Sequence, residues 1–241
     1  AVSCPPVLAG PAMAGGLWDW GSAAFNAVIT TVVFTVYLVS DSFGAKADNE
    51  SALSLGLAIA GLFIALLAPV TGQRSDRGGR TVFWLGGYTA VVVAVSAALF
   101  LVRPEPGYLW LGIALLGVGN IFFELASVNY NAILNHLASK DRIGAVSGLG
   151  WGMGYLGGVV LLLILYVGLI GTNLLGVPTD EYLPIRLSMV IAALWLGGFA
   201  IPVIVNPPLP KKVQTGGDGE SIIDSYKLLW RTIVTLKREA P

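Results

Sequence analysis

Residues 52 to 102 read ALSLGLAIAGLFIALLAPVT (Ala52 to Thr71), GQRSDRGGR (Gly72 to Arg80) and TVFWLGGYTAVVVAVSAALFLV (Thr81 to Val102). A bilayer hydrocarbon core is about 30 Å thick and takes about 20 helical residues to cross. Each flanking run is long enough and carries no charge before Val102. Neither alternates apolar and polar residues as an outer-membrane barrel strand does. Backbone amides cannot be left unpaired in hydrocarbon, so both runs are predicted to be helices. The polar segment between them makes the unit a membrane hairpin.

Four further runs of the same kind extend from Ser22 to Ser40, Tyr108 to Leu134, Ile143 to Ile170 and Ile185 to Val205. The composition agrees: 55% of the 241 residues are hydrophobic, 12% are charged, and the mean hydropathy is +0.77. These values lie far from those of a soluble domain. The expected fold is an all-α membrane protein with six transmembrane helices.

Loop cations set orientation. Arg74, Arg77 and Arg80 follow the second span, Lys140 and Arg142 the fourth, and Lys211, Lys212, Lys227, Arg231, Lys237 and Arg238 the sixth. The opposite loops hold Lys46, Arg103 and Arg186. Eleven against three places both termini in the cytoplasm of a cell-membrane protein. Three regions are expected: a cytoplasmic lead-in (1–21), the six-helix domain (22–205) and a cytoplasmic linker (206–241). The lead-in lacks the charged start of a secretory signal. In the linker, Ile222, Tyr226, Leu229, Trp230 and Ile233 recur at helical spacing beside basic residues. This predicts an amphipathic helix on the membrane surface, each basic residue attracted to anionic lipid by about 1 kcal/mol. A polar turn is expected from Gly171 to Pro184. The lone Cys4 cannot form an intrachain disulfide.

The Gly72 to Arg80 segment resembles the loop motif of the major facilitator superfamily, G-x-x-x-D-R-x-G-R, at Gly72, Asp76, Arg77, Gly79 and Arg80. Glycines permit a tight turn, and Asp76 suits an arginine partner or a helix N-terminus. The positive-inside rule alone would account for the arginines but not for the glycine and aspartate positions. Arg74 and Thr81 depart from the usual pattern. The resemblance implies the N-terminal six-helix half of a major facilitator fold, with Asp76 meeting a helix end of the other half and biasing alternating access.

Two spans are polar inside. The first places Asp19, Ser22, Asn26 and Thr30 on one helical face, and the fourth does so with Asn120, Glu124, Ser127 and Asn131. A carboxylate at mid-membrane costs about 2.5–3.5 kcal/mol or more, so Glu124 should face a water-filled cavity, a partner or a proton. A hydrogen-bonded structural role is the alternative. The superfamily resemblance implies that first and fourth helices line the cavity. The fifth span is rich in glycine, at Gly144, Gly148, Gly150, Gly152, Gly154, Gly157 and Gly158, which predicts close helix packing. Trp151 and Tyr155 share a face there, as cavity lining or as packing. Trp18, Trp20, Trp84 and Trp110 lie near span ends and read as interfacial anchors. His136 has no second ligand nearby, so no metal or other cofactor is expected. No P-loop or hydrolase motif is present, which argues against an enzyme or an ATP-driven pump. Nothing points to nucleic acid.

Three segments resemble the vacuole-effluxer branch of that superfamily: Trp18 to Phe25, Tyr130 to Leu134 and Ser147 to Gly158. Gly21 and Ser22 stand where an Ala-Asn pair is usual. The resemblance implies secondary transport, with an amino acid as candidate solute. The polar stripes point to a small polar solute, and the mid-span position of Glu124 makes it the candidate for proton coupling. Expected partners are lipid, the solute, protons, and either a C-terminal six-helix half or a second copy of the chain. Two other readings stay open at this point: a self-contained six-helix homodimer, and a non-transporting membrane scaffold.

Overall fold

The computed structural model describes residues 11–78, 81–137 and 143–205. The expected amphipathic helix of the linker and Cys4 lie outside the described residues. Six helices are long and apolar enough to cross a membrane: α1 (Gly15–Leu38), α2 (Lys46–Gly72), α3 (Thr81–Leu101), α4 (Pro106–Ile133), α5 (Ser147–Ile170) and α6 (Asp180–Val205). The all-α six-span expectation holds.

Two boundaries differ from the hydropathy reading. Helical structure before α1 begins at Pro11, well inside the expected lead-in. A proline fits a first helical turn, and the extra turns are held by Trp18, which is only 2% exposed. Helix α2 continues past the expected loop start as far as Gly78, passing through Pro69. Gly72 is therefore a helical residue and not a turn glycine. Its missing side chain matters for packing instead, because a β-carbon there would lie 3.1 Å from Val128 Cγ1 of α4.

Helix α1 is not uniform. Its α-helical start (Pro11–Ala23) passes into a π-helical stretch, Ala24–Val32, before Phe34–Leu38 completes the span. It is the most enclosed of the six helices, and α2 is the least.

The helices pack in two layers. One layer runs α2, α4, α1, α5: α4 packs on α2, α1 packs on α5, and α1 touches α4 in the middle. Behind it lie α3 and α6, packed on each other, with α3 against α4 and α6 against α1. Exchanging α1–α3 with α4–α6 leaves these pairings unchanged. The packing thus has an internal three-helix repeat that the sequence does not display.

The larger core cluster gathers Phe25, Phe34, Tyr37, Leu38, Leu116, Phe123, Leu161 and Met189. A second joins Trp18, Leu85, Ala126, Tyr130, Ile133, Ala200 and Val203. Trp18 stacks on Tyr130 at 4.3 Å, and Phe25 on Phe123 at 4.9 Å. Such pairs contribute about 0.5–1.5 kcal/mol each beyond burial. Trp18 is a core residue and not an interfacial anchor, because its indole Nε1 also donates to Thr89 Oγ1 of α3 at 3.4 Å. Trp20 stacks on Trp195 of α6 and is likewise drawn into the bundle. Trp84 and Trp110 are exposed.

Glycine explains how closely α5 approaches α1. A β-carbon at Gly157 would lie 2.5 Å from the Trp20 carbonyl oxygen, and one at Gly150 would collide with the Asp19 carboxylate. Both distances are too short for any larger residue without movement of the backbone or the carboxylate.

The expected polar turn between α5 and α6 is present. Its tip is closed by Asn173, whose Nδ2 donates to the Val177 carbonyl (2.7 Å) while its Oδ1 accepts the Val177 amide (2.9 Å). Asn173, Glu181 and Tyr182 all adopt positive φ.

Candidate functional site

The polar residues of α1 do not form one continuous face. Ser22 is buried, its hydroxyl donating to the Asp19 carbonyl of its own helix. Asn26 is exposed, and Thr30 and Thr31 both donate to its backbone carbonyl, at 2.8 and 2.7 Å. The π-helical stretch separates the two sets. In a π turn the pairing runs over five residues instead of four, so a stripe counted at 3.6 residues per turn loses phase within Ala24–Val32.

Asp19 is partly buried at the α1–α4–α5 junction. Its Oδ2 lies 2.7 Å from the Tyr130 hydroxyl, which is also 2.8 Å from the Gly15 carbonyl oxygen. Gly150 and Gly154 of α5 present bare backbone to the Asp19 carboxylate and main chain. Tyr130 is thus a site residue that reading for polar groups passed over. The available signal was an aromatic one: Phe123 and Tyr130 recur at a seven-residue spacing beside the polar stripe of α4.

On α4, Glu124 and Asn131 are exposed, while Asn120 and Ser127 are half-buried. On α5, Trp151 and Tyr155 are 68% and 69% exposed, their ring centroids 6.1 Å apart. They do not pack inside this bundle. Asn26, Glu124, Asn131, Trp151 and Tyr155 therefore belong to the helices of the front layer and are left uncovered by these six helices. Asp19, by contrast, is already engaged within them.

The loop motif divides between what is described and what is not. The backbone at Asp76 and Arg77 is helical, their side chains are not among the described ones, and Gly79 and Arg80 lie outside the described residues, as does the His136 side chain.

Arg186, a loop cation by sequence, is 7% exposed at the start of α6. Its Nε donates to the Phe100 carbonyl at 2.8 Å, its guanidinium lies 4.8 Å from the Phe100 ring centroid, and Nη1 pairs with Glu181 Oε2 at 3.2 Å. Nearby, Tyr37 donates to the Val102 carbonyl at 3.0 Å, and its ring lies 5.5 Å from that of Tyr182. Between α1 and α5 at this end lies an apolar groove of about 570 Å³, lined by Val36, Ser40, Val159, Leu163 and Tyr166 among others.

Comparison with known proteins agrees with this architecture. The chain is 28% identical over 226 residues to YxiO of Bacillus subtilis (strain 168), an uncharacterized MFS-type transporter. The alignment takes in 92% of the chain and 52% of the relative, so the chain spans about half the length of that protein. No solved structure matches the chain. The family profile of the Major Facilitator Superfamily matches residues 4–162, two polar-bearing helices stand side by side within a six-helix bundle, and the chain belongs to that superfamily.

Proposed function

We propose that the chain is the N-terminal six-helix half of a secondary active transporter that carries a small polar solute by alternating access, without enzymatic chemistry. The carrying observation is that Asn26, Glu124 and Asn131 are exposed on α1 and α4, the central helices of the front layer. Polar side chains on membrane spans face a cavity or a partner and not hydrocarbon. A second six-helix unit placed against the front layer would enclose them, with Trp151 and Tyr155 at the margin. Asn120 and Thr30 would add hydrogen-bonding groups. The chain's share of its longer relative supports such a unit.

Within this reading Asp76 and Arg77, together with Gly79 and Arg80, bias the two access states through a helix end of the other half. Both termini lie in the cytoplasm, by the distribution of Lys and Arg. The resemblance to the vacuole-effluxer branch makes an amino acid the first solute class to try. Glu124, exposed on α4, is our candidate to exchange a proton or to meet the solute's ammonium group.

The test is uptake by the full-length protein in proteoliposomes, with a panel of amino acids and an imposed pH gradient. Accumulation of at least one amino acid is expected, and Glu124→Gln should abolish its dependence on the gradient. Gradient-driven uptake unchanged in Glu124→Gln would remove the coupling role. No flux of any small polar solute would favour a scaffold.

A further inference from the structure

Tyr130 has two oxygen neighbours and one hydrogen to give. Its hydroxyl lies 2.8 Å from the Gly15 carbonyl oxygen and 2.7 Å from Asp19 Oδ2. Both distances are those of good O–H···O hydrogen bonds. A carbonyl only accepts, an ionised carboxylate only accepts, and a phenol donates once. With Asp19 ionised, one of the two contacts would therefore bring lone pair against lone pair, in a part-buried site where an unmade bond is costly. With a proton on Asp19 Oδ2 the count closes: Asp19 donates to the Tyr130 oxygen, and Tyr130 donates to Gly15.

The surroundings favour the same solution. The described parts of α1, α4 and α5 contain no Lys or Arg, and the one in α6, Arg186, is engaged at the opposite end of the bundle. From α4, Asp19 is faced by Tyr130. From α5 it is faced by Gly150 and Gly154, which bring no charge, and α6 packs on the adjoining Trp20 and Gly21 through Trp195, Leu196 and Phe199. Glu124 is the described carboxylate on α4 and is exposed; His136, in the helical turn that follows α4, has a side chain outside the described ones. No cation among these is placed to neutralise an ionised Asp19.

We infer that Asp19 is a proton-binding site distinct from Glu124, and that Asp19, Tyr130 and Gly15 form a latch that is complete only when Asp19 carries a proton. Loss of that proton to water leaves one hydrogen for two acceptors, so Tyr130 keeps either Asp19 or Gly15 and the tie between α1 and α4 is weakened. As a step in solute movement the latch rests on the transport reading above; as a proton site it does not.

The experiment uses full-length protein in nanodiscs and needs no solute. Infrared difference spectra between mildly acidic and alkaline pH should show loss of a protonated-carboxyl band, and the thermal midpoint should fall as pH rises. Asp19→Asn should lack both changes while keeping the wild-type midpoint of mildly acidic pH, because its amide donates to Tyr130 in place of the proton. Tyr130→Phe should move the pH at which the band is lost, and Glu124→Gln should leave it where it was. A Glu124→Gln protein with no such band at mildly acidic pH overturns the inference, as does a band in that background that survives the addition of Asp19→Asn. Transport failing in the liposome assay while the band behaves as described would leave the proton site standing and remove only its link to transport.

Discussion

A buried arginine and its exposed partner have unequal weight at the start of α6. Arg186 is held by the Phe100 carbonyl, the Phe100 ring and Glu181, but Glu181 itself is 55% exposed. Exposed ion pairs contribute about 0–1 kcal/mol, whereas a hydrogen bond from a buried charged group contributes about 1.5–3 kcal/mol. Arg186→Ala should therefore lower unfolding stability by about 2–3 kcal/mol, with Glu181→Gln costing less than about 1 kcal/mol. Thermal melts of the two variants in the same detergent check this, and equal losses would place the strength in the ion pair. Ser96 offers the converse case. Its hydroxyl is buried without a hydrogen-bond partner, so Ser96→Ala should leave the thermal midpoint unchanged or raise it.

Among the helices, α5 carries the sharpest contrast between neighbouring glycines. A β-carbon at Gly157 meets the Trp20 backbone, while one at Gly152 meets nothing within 4 Å. Gly157→Ala should cost about 1–3 kcal/mol through overpacking, and Gly152→Ala should be neutral or gain up to about 1 kcal/mol from helix propensity. Melting temperatures of the pair separate close approach from mere glycine content. The same contrast marks what the sequence could disclose. The number and type of the spans were legible because hydropathy and length are properties of single segments. The glycine density of α5 announced close packing, but not which glycines touch α1. The stripe on α1 was misphased beyond Ser22 because a 3.6-residue count assumes the α-helix that Ala24–Val32 does not form. Arg186 and Trp18 were placed at interfaces by composition, whereas their partners, Phe100 and Thr89, come from a distant span. Tyr130 was missed for the same reason.

For the whole bundle, the two layers make different demands on their surroundings. Leu62 and Phe63 of α2 and Val159 and Leu163 of α5 are exposed at the edges of the front layer, and Leu194 and Ile201 of α6 are exposed behind it. If a second six-helix unit covers the front, a lipid-soluble carbene probe should label the α6 positions in the full-length protein and spare those on α2 and α5. Equal labelling of both sets would leave the front layer uncovered. The widened stretch of α1 bears on kinship as well as on shape. Each residue of an α-helix advances the side chains by about 100°, so a relative whose first span is α-helical throughout must reach the Tyr37 position with fewer residues after the Asp19 position. Alignments of the first span should then open a gap inside Ala24–Val32, and ungapped comparison would pair Asn26 and Thr30 with the wrong neighbours on one side of it.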